Sequence, residues 1–259
     1  MRQSLSHRSR AHRGPWLLIC GACLIWVSGC AKPLIGNSSA VIVLLDYSRS
    51  FATFDNGDIA ALGEVNKSIV QMVRVGTLPQ PVKILWAAFG DNGLKPLEPC
   101  GPARVFGQTL TGHTNDQNLS KSNLEGRLTN IVDLQSWLSV CLSAVRATSQ
   151  SPQQFTDISG ALMFASDAAE DIREDHIIVV FTDLLEDLPP NRQVPPLKLN
   201  KAKMLLVWRP GLDDQKQPAA VSKRVEDWRN KLERAGASRV CSKASQGISE
   251  GEISSCLWH

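Results

Sequence analysis

The chain has 259 residues, of which 43% are hydrophobic and 20% are charged, which is the composition of an ordinary globular protein. This excludes a disordered, collagen-like or coiled-coil chain, and the lack of any apolar run of 18 residues excludes a multi-span membrane protein. The net charge of +3 comes from four arginines within residues 1–29, a segment without acidic residues or lysine. The remaining 24 basic and 25 acidic side chains nearly balance, so we expect no nucleic acid as a partner.

The N-terminal segment has the organisation of a secretory signal. Residues 1–14 are polar and arginine-rich, residues 15–27 are apolar, and two small residues come directly before Cys30. This arrangement resembles the lipobox of bacterial lipoproteins, in which the peptide is cleaved before a diacylated cysteine. The resemblance implies a signal peptide over residues 1–29, lipidation of Cys30 and a lipidated tether over residues 30–39. A plain secretory signal and an uncleaved anchor are the alternatives.

The lipobox resemblance also implies a location in the bacterial cell envelope. Two acyl chains on the cysteine would hold the chain stably on the membrane, with the following domain facing the periplasm. Residue 31 is alanine rather than aspartate, and by analogy with enteric sorting rules this favours the outer membrane. The apolar run of 13 residues is too short to span a bilayer comfortably.

Strands and helices alternate in the pattern of the following residues, which predicts a doubly wound α/β sheet. The predicted strands cover residues 40–45, 82–89, 103–106, 177–181, 204–208 and 238–241. The predicted helices run from an N-cap at Asp58 to Met72 and over residues 122–147, 158–169 and 221–232. The first strand is continuously apolar, as in a parallel sheet covered on both faces. We expect one domain over residues 40–245 and a C-terminal tail over residues 246–259.

Four cysteines remain once the signal and the lipidation site are set aside, and an even number suits an oxidising compartment. They are Cys100, Cys141, Cys241 and Cys256. Four cysteines allow three connectivities, and four reduced, buried thiols are the alternative. We predict Cys100–Cys141, which ties a loop-rich segment to the long helix, and Cys241–Cys256, which closes a short C-terminal loop. No CxxC or His–Cys cluster indicates a zinc site.

Oxygen-bearing side chains follow two of the apolar strands and precede one helix. Asp46, Ser48 and Ser50 stand at alternate positions after the first strand, Thr156 precedes a helix, and Asp183 ends another strand. Ligands of open α/β sheets bind at the carboxyl ends of the strands, so these side chains are expected to gather at one edge. Carboxylate and hydroxyl oxygens suit a hard cation, Mg²⁺ foremost, with Mn²⁺ and Ca²⁺ as alternatives.

These three segments resemble the motifs of the von Willebrand factor A family. Asp46-x-Ser48-x-Ser50 matches the DxSxS motif of that family, Thr156 matches its isolated threonine, and Asp183 matches its third motif. The resemblance implies a single Rossmann-like domain with a mostly parallel central sheet flanked by helices. It also implies a metal-ion-dependent adhesion site, in which the five side chains hold one cation and a partner's Asp or Glu completes the coordination.

The leading interpretation is a membrane-anchored binding module, not an enzyme, that docks a protein partner through the cation. One alternative is a structural lipoprotein with a vestigial metal site, in which Asp46 and Asp183 only end strands and Thr156 or Asp157 caps a helix. Another is a haloacid dehalogenase-like phosphatase, but those enzymes need a second aspartate where Ser48 stands. Leu184 replaces the glycine that often follows the third aspartate in the family, so we expect a differently shaped loop there.

Overall fold

A computed structural model describes residues 38–51, 54–90, 93–98, 100–107, 119–147, 153–169, 176–193, 196–210, 214 and 217–258. Within residues 119–129 only the backbone is described. The predicted signal peptide, Cys30 and nearly all of the predicted tether lie outside the described residues. In the part that is described, no helix combines the length and the apolar character needed to cross a membrane.

The described residues build one central sheet of seven strands. In chain order the strands are β1 (Ser39–Asp46), β2 (Val82–Gly90), β3 (Gly93–Pro96), β4 (Arg104–Phe106), β5 (His176–Thr182), β6 (Lys203–Trp208) and β7 (Arg239–Ala244). Their spatial order is β3-β2-β1-β5-β6-β7, and β4 also pairs with β2. Strands β2, β1, β5, β6 and β7 are parallel, whereas β3 and β4 run antiparallel to β2. The predicted α/β class with a mostly parallel sheet is therefore confirmed.

Helices cover both faces of this sheet. They are α1 (Asn56–Val75), α2 (Leu119–Ala147), α3 (Ile158–Ala168), α4 (Pro218–Arg234) and α5 (Glu250–Trp258). Helices α1, α2 and α5 pack in one apolar cluster with Val43 and its neighbours of the same face, while α3 and α4 pack in another with Leu44. Successive strand residues point to opposite faces, so β1, which is buried on both faces, is apolar from residue 40 to residue 45, between its polar ends.

The strand order reverses at β1, which creates the crevice in which open α/β sheets bind ligands. From β1 the chain crosses through α1 to β2 on one side, while β5 lies on the other side. The parallel register pairs Leu45 of β1 with Phe181 of β5. Asp46 and Thr182 therefore end neighbouring strands at the same level, and Asp183 follows immediately. Two of the candidate carboxylates are brought to the switch point by this register alone.

The predicted N-cap of α1 was wrong by three residues. Asp55 is the cap: its Oδ1 accepts a hydrogen bond from the backbone N of Asp58 at 2.9 Å, and its own backbone N donates to Asp58 Oδ2 at 3.2 Å. This reciprocal arrangement is a capping box, which needs a side-chain acceptor at both positions, and in the sequence either aspartate alone resembles an N-cap. Asp58 is buried and also pairs with Arg209 at 2.7 Å.

Two elements were not predicted from the sequence, β3 and α5. Strand β3 continues the hairpin that follows β2 in a stretch rich in proline and glycine. Helix α5 lies within the predicted C-terminal tail and has nine residues, with Ile253 and Leu257 buried against the core. So few apolar positions give a weak helical period, and only tertiary packing makes the helix recognisable.

Both predicted disulfides are present. Cys100–Cys141 joins the loop after β3 to α2 with a Cα–Cα distance of 5.0 Å, and Trp137 donates its Nε1 hydrogen to the Cys100 carbonyl at 3.1 Å. Cys241–Cys256 joins β7 to α5 with a Cα–Cα distance of 6.1 Å. A bridge over 15 to 41 residues typically contributes about 2–4 kcal/mol, largely by restricting the unfolded chain.

Candidate metal centre

The first candidate segment leaves β1 at Asp46 and folds into a tight turn. Asp46 is fully buried, and its Oδ1 accepts a hydrogen bond from the backbone N of Ser48 at 2.8 Å. The turn closes when Phe51 N donates to the Ser48 carbonyl at 3.1 Å. The hydroxyls of Ser48 and Ser50 lie 3.2 Å apart. A carboxylate and two hydroxyls are thus presented from five consecutive residues.

The second segment is held between the other two by isolated pairs of β-bridge hydrogen bonds. Gln153 N donates to the Tyr47 carbonyl at 3.0 Å, and the Gln153 carbonyl accepts from Arg49 N at 2.7 Å. Three residues later, Thr156 N donates to the Asp187 carbonyl at 2.7 Å, and the Thr156 carbonyl accepts from Asp187 N at 3.0 Å. The second segment is therefore fixed through Gln153 to the loop after β1 and through Thr156 to the loop after β5.

The second segment can lie where it does because residue 90 is a glycine. Gly90 ends β2 beneath Gln153, and a Cβ on Gly90 would lie 2.3 Å from the side-chain Oε1 of that glutamine.

Asp157, and not Thr156, caps α3: its Oδ1 accepts from Gly160 N at 2.7 Å, and it pairs with Arg192. The helix-capping alternative therefore applies to Asp157 and leaves the Thr156 hydroxyl without that role.

The third segment carries Asp183 directly after β5. Its Oδ1 accepts a hydrogen bond from Leu185 N at 2.9 Å, while its Oδ2 is buried and has no hydrogen-bond partner among the described residues. Leu184 adopts the left-handed conformation, at φ 63°, that glycine takes most readily. Burial of the leucine side chain, and a hydrogen bond of 3.0 Å from Trp228 Nε1 to its carbonyl, hold it there.

Thr182 is a site residue that was not predicted from the sequence. Its hydroxyl donates to Asp46 Oδ2 at 2.7 Å and accepts from Leu184 N at 3.0 Å, so it joins the first and third segments. Both oxygens of the Asp46 carboxylate are thereby hydrogen-bonded, in a fixed orientation. The sequence does contain one indication of this role, because Thr182 is a polar residue that follows an apolar strand and comes directly before Asp183.

Arg224 of α4 is a second contributor that was not predicted. It donates to the backbone carbonyl of Asp183 at 2.9 Å and forms a two-pronged ion pair with Asp214 at 2.6 and 2.8 Å. Burial raises the pKa of the Asp183 carboxyl. The Ser50 hydroxyl, the Leu185 amide and the Arg224 charge oppose that rise, and the Asp214 charge adds to it. The Ser50 hydroxyl favours the ionised carboxylate without forming a hydrogen bond to its Oδ2.

Asp46 is the most strongly perturbed carboxyl group of the site. Burial first, and then the charge of Asp183, raise its pKa from 3.8 to about 7. Hydrogen bonds from Thr182 and Ser48 favour the ionised form and limit the rise. Two buried carboxylates that repel each other are stabilised by a cation placed between them.

The donor set fits a hard divalent cation. It consists of two carboxylates and three hydroxyls, without thiol or imidazole, and Asp183 Oδ2 is an acceptor that lacks a donor. The part of the chain that the structure describes has no cluster of three or more His, Cys, Asp or Glu. A metal held here would be bound by two carboxylates, with hydroxyl and water oxygens for the rest.

Fold and site together define a doubly wound α/β domain with an oxygen-lined crevice at its switch point. No protein-family model and no curated protein matches the chain. Solved structures similar to it include three N-terminal domains of the type V pili tip protein Mfa5 from Porphyromonas gingivalis, at 16% identity and a TM-score of 0.35, covering 62% of this chain and 23% of that one.

Two further solved structures are similar at the same level. The vWF domain of Mfa5 has 16% identity and a TM-score of 0.34, covering 62% of this chain and 44% of that one. Proximal thread matrix protein 1 (PTMP1) from the mussel byssus has 14% identity and a TM-score of 0.37, covering 85% of this chain and 45% of that one. The chain spans less than half the length of these solved chains.

Proposed function

We propose that this domain binds a protein partner through a divalent cation, Mg²⁺ foremost, held by Asp46, Ser48, Ser50, Thr156 and Asp183. The observation that carries the proposal is the meeting of three distant segments at the carboxyl ends of β1 and β5, through two isolated bridges and one side-chain hydrogen bond. The matching order of the three von Willebrand factor A motifs supports the same reading.

The charge balance of the site explains why a partner would be needed. Five side chains bring only two formal negative charges, so a bound divalent cation would be barely neutralised and would keep water in at least one position. A carboxylate from a partner's Asp or Glu would replace that water and add a third negative charge. The partner would then bind only when the metal is in place and when the partner supplies its carboxylate.

A binding role accounts for the residues better than catalysis does. In a haloacid dehalogenase-like phosphatase, an acid/base aspartate would stand two residues after Asp46, but Ser48 stands there with its hydroxyl 3.2 Å from that of Ser50. An unactivated serine hydroxyl does not ionise near neutral pH, so it cannot replace the acid/base aspartate. A structural lipoprotein with a vestigial site is the remaining alternative, and metal binding separates it from the proposal.

We also propose that lipid on Cys30 tethers the domain to the bacterial cell envelope, facing the periplasm and with the outer membrane favoured. A tether of about ten residues reaches at most about 35 Å when fully extended, so the metal centre would work close to the bilayer. The Cys30→Ala variant should leave the membrane fraction for the soluble fraction. Retention on the membrane without an uncleaved signal would contradict lipid anchoring.

Calorimetric titration with Mg²⁺ and Mn²⁺ tests the metal site on a chain of residues 31–259. The wild type should bind one cation, and Asp183→Asn should bind none, because the amide keeps the acceptor for Leu185 N but removes the charge. Asp133→Asn, at an exposed position of α2, removes the same charge away from the crevice and should bind like the wild type. Circular dichroism of each variant verifies the fold.

The partner is tested by affinity capture from membrane extracts in magnesium and in chelator. Capture that is equal in excess chelator would refute a metal-dependent mechanism. A wild type that binds no cation at millimolar concentration would favour the vestigial site instead.

A further inference from the structure

We infer that Arg49 reads a second carboxylate on the partner, one to three residues away from the carboxylate that completes the metal site. The partner segment would thus carry a pair of acidic residues in an extended stretch. This inference rests on the proposed function, because it describes what surrounds the metal-bound carboxylate.

Arg49 stands inside the first candidate segment but does not belong to its inward-facing set. The flanking Ser48 and Ser50 bring their hydroxyls to within 3.2 Å of each other, whereas the Arg49 side chain is exposed. Its backbone is fixed, because Arg49 N donates to the Gln153 carbonyl at 2.7 Å. A positive side chain is therefore held at the rim of the crevice by a rigid backbone.

The other arginines around the crevice have carboxylate partners within the chain. Each touches one of the three segments or its flank, as when Arg209 lies over the Phe51 ring at 4.3 Å. The ion pairs are Arg192 with Asp157, Arg209 with Asp58, and Arg224 with Asp214. Arg49 forms no ion pair with any described residue. Among the described arginines around the crevice, its charge is therefore available to a group from outside the chain.

A partner carboxylate is the group that this charge fits. A guanidinium binds a carboxylate through two parallel hydrogen bonds, and an exposed positive charge also attracts an acidic partner before contact. Side chains at positions i and i+2 of an extended peptide lie on one face, about 7 Å apart. Because Arg49 is flanked by two of the proposed metal ligands, such a spacing lets one acidic residue reach the metal and the next reach the guanidinium.

Peptide display on residues 31–259, which contain the whole described core, tests the inference. A random library of 16-residue peptides is selected in Mg²⁺ on the wild type and on Arg49→Gln, and bound peptides are eluted with chelator. The wild type should enrich paired acidic residues one to three positions apart, and Arg49→Gln should enrich single ones. Single acidic residues on both would overturn the inference and leave the proposed function standing. A library with no magnesium-dependent binder would contradict both.

Affinities of the strongest selected peptide give the quantitative test. Arg49→Gln should bind it about fivefold more weakly, as expected for an exposed ion pair, and Arg49→Lys should recover part of the loss. Arg74→Gln removes an exposed charge at the far end of α1 and should bind like the wild type. Mg²⁺ affinity measured without peptide should be equal in all four proteins. A loss that Arg74→Gln shares, or one that follows Mg²⁺ affinity, would overturn the inference.

Discussion

Asp46→Asn should stabilise the metal-free domain at neutral and higher pH while it abolishes metal binding. The pKa of Asp46 is raised from 3.8 to about 7 in the folded domain, because the group is buried and lies near the charge of Asp183. Between these two values the folded state holds a proton that the unfolded chain has released. The stability due to this proton is fully present below pH 3.8 and is lost as the pH rises to about 7.

The size of the effect follows from the width of that window. A shift of one pKa unit corresponds to about 1.4 kcal/mol, so the whole window is worth about 4 kcal/mol, and its part above pH 5 is worth about 3 kcal/mol. Asparagine has nearly the same shape and keeps the acceptor for Ser48 N, but it does not titrate. The variant should therefore lack this part of the pH dependence.

Urea unfolding in chelator at pH 5, 6, 7 and 8 measures the difference. The free energy of unfolding of Asp46→Asn minus that of the wild type should rise by about 3 kcal/mol between pH 5 and pH 8. The exposed Asp133→Asn variant should show no such trend. Saturating Mg²⁺ should stabilise the wild type and leave Asp46→Asn unchanged, since a ligand stabilises only the protein that binds it. A difference that is constant with pH would refute the reasoning about the buried carboxyl pair.

Three further outcomes are expected from the structure. Cys241→Ser, which breaks the bridge to Cys256, should lower the free energy of unfolding by about 2–4 kcal/mol in non-reducing urea titrations, and an unchanged value would show that α5 does not depend on the bridge. Thr182→Val removes a hydrogen bond to the ionised carboxylate of Asp46, so calorimetry at pH 7 should find Mg²⁺ affinity about tenfold lower, whereas equal affinity would exclude an orienting role. Leu184→Gly should cost about 2–4 kcal/mol in the same urea assay, because losing a buried leucine outweighs relief of the left-handed backbone, and a stabilised variant would reverse that ranking.

The elements of the sheet were predictable where burial dictates composition. A strand covered on both faces must be apolar between its ends, which is why β1 and β5 stand out in the sequence. An amphipathic helix such as α4 repeats its apolar residues with helical period, and Val221, Trp228 and Leu232 carry that pattern. The N-cap of α1 could not be predicted in this way, because Asp55 and Asp58 form reciprocal hydrogen bonds and either residue alone resembles an N-cap.

The candidate site was predictable only as far as local motifs reach. Asp46 and Asp183 each follow a recognisable strand, so their gathering at one edge follows from the parallel sheet. Thr182 donates to Asp46, 136 positions away, and Arg224 donates to the backbone carbonyl of Asp183, 41 positions away. No local sequence pattern predicts contacts over such separations. Whether the five oxygens bind a cation stays a prediction, which the titrations above address.

The central position of β1 has a consequence for how the chain folds as it is made. Strand β1 pairs with β2, about forty residues downstream, and with β5, whose residues emerge far later. Until residues 176–182 are available, a folding intermediate holding β1 and β2 has an apolar strand with an open hydrogen-bonding edge, which invites pairing with other chains. A chain truncated before His176 should therefore aggregate rather than form a smaller stable sheet. In the full-length chain this edge stays open until β5 has been synthesised and pairs with β1.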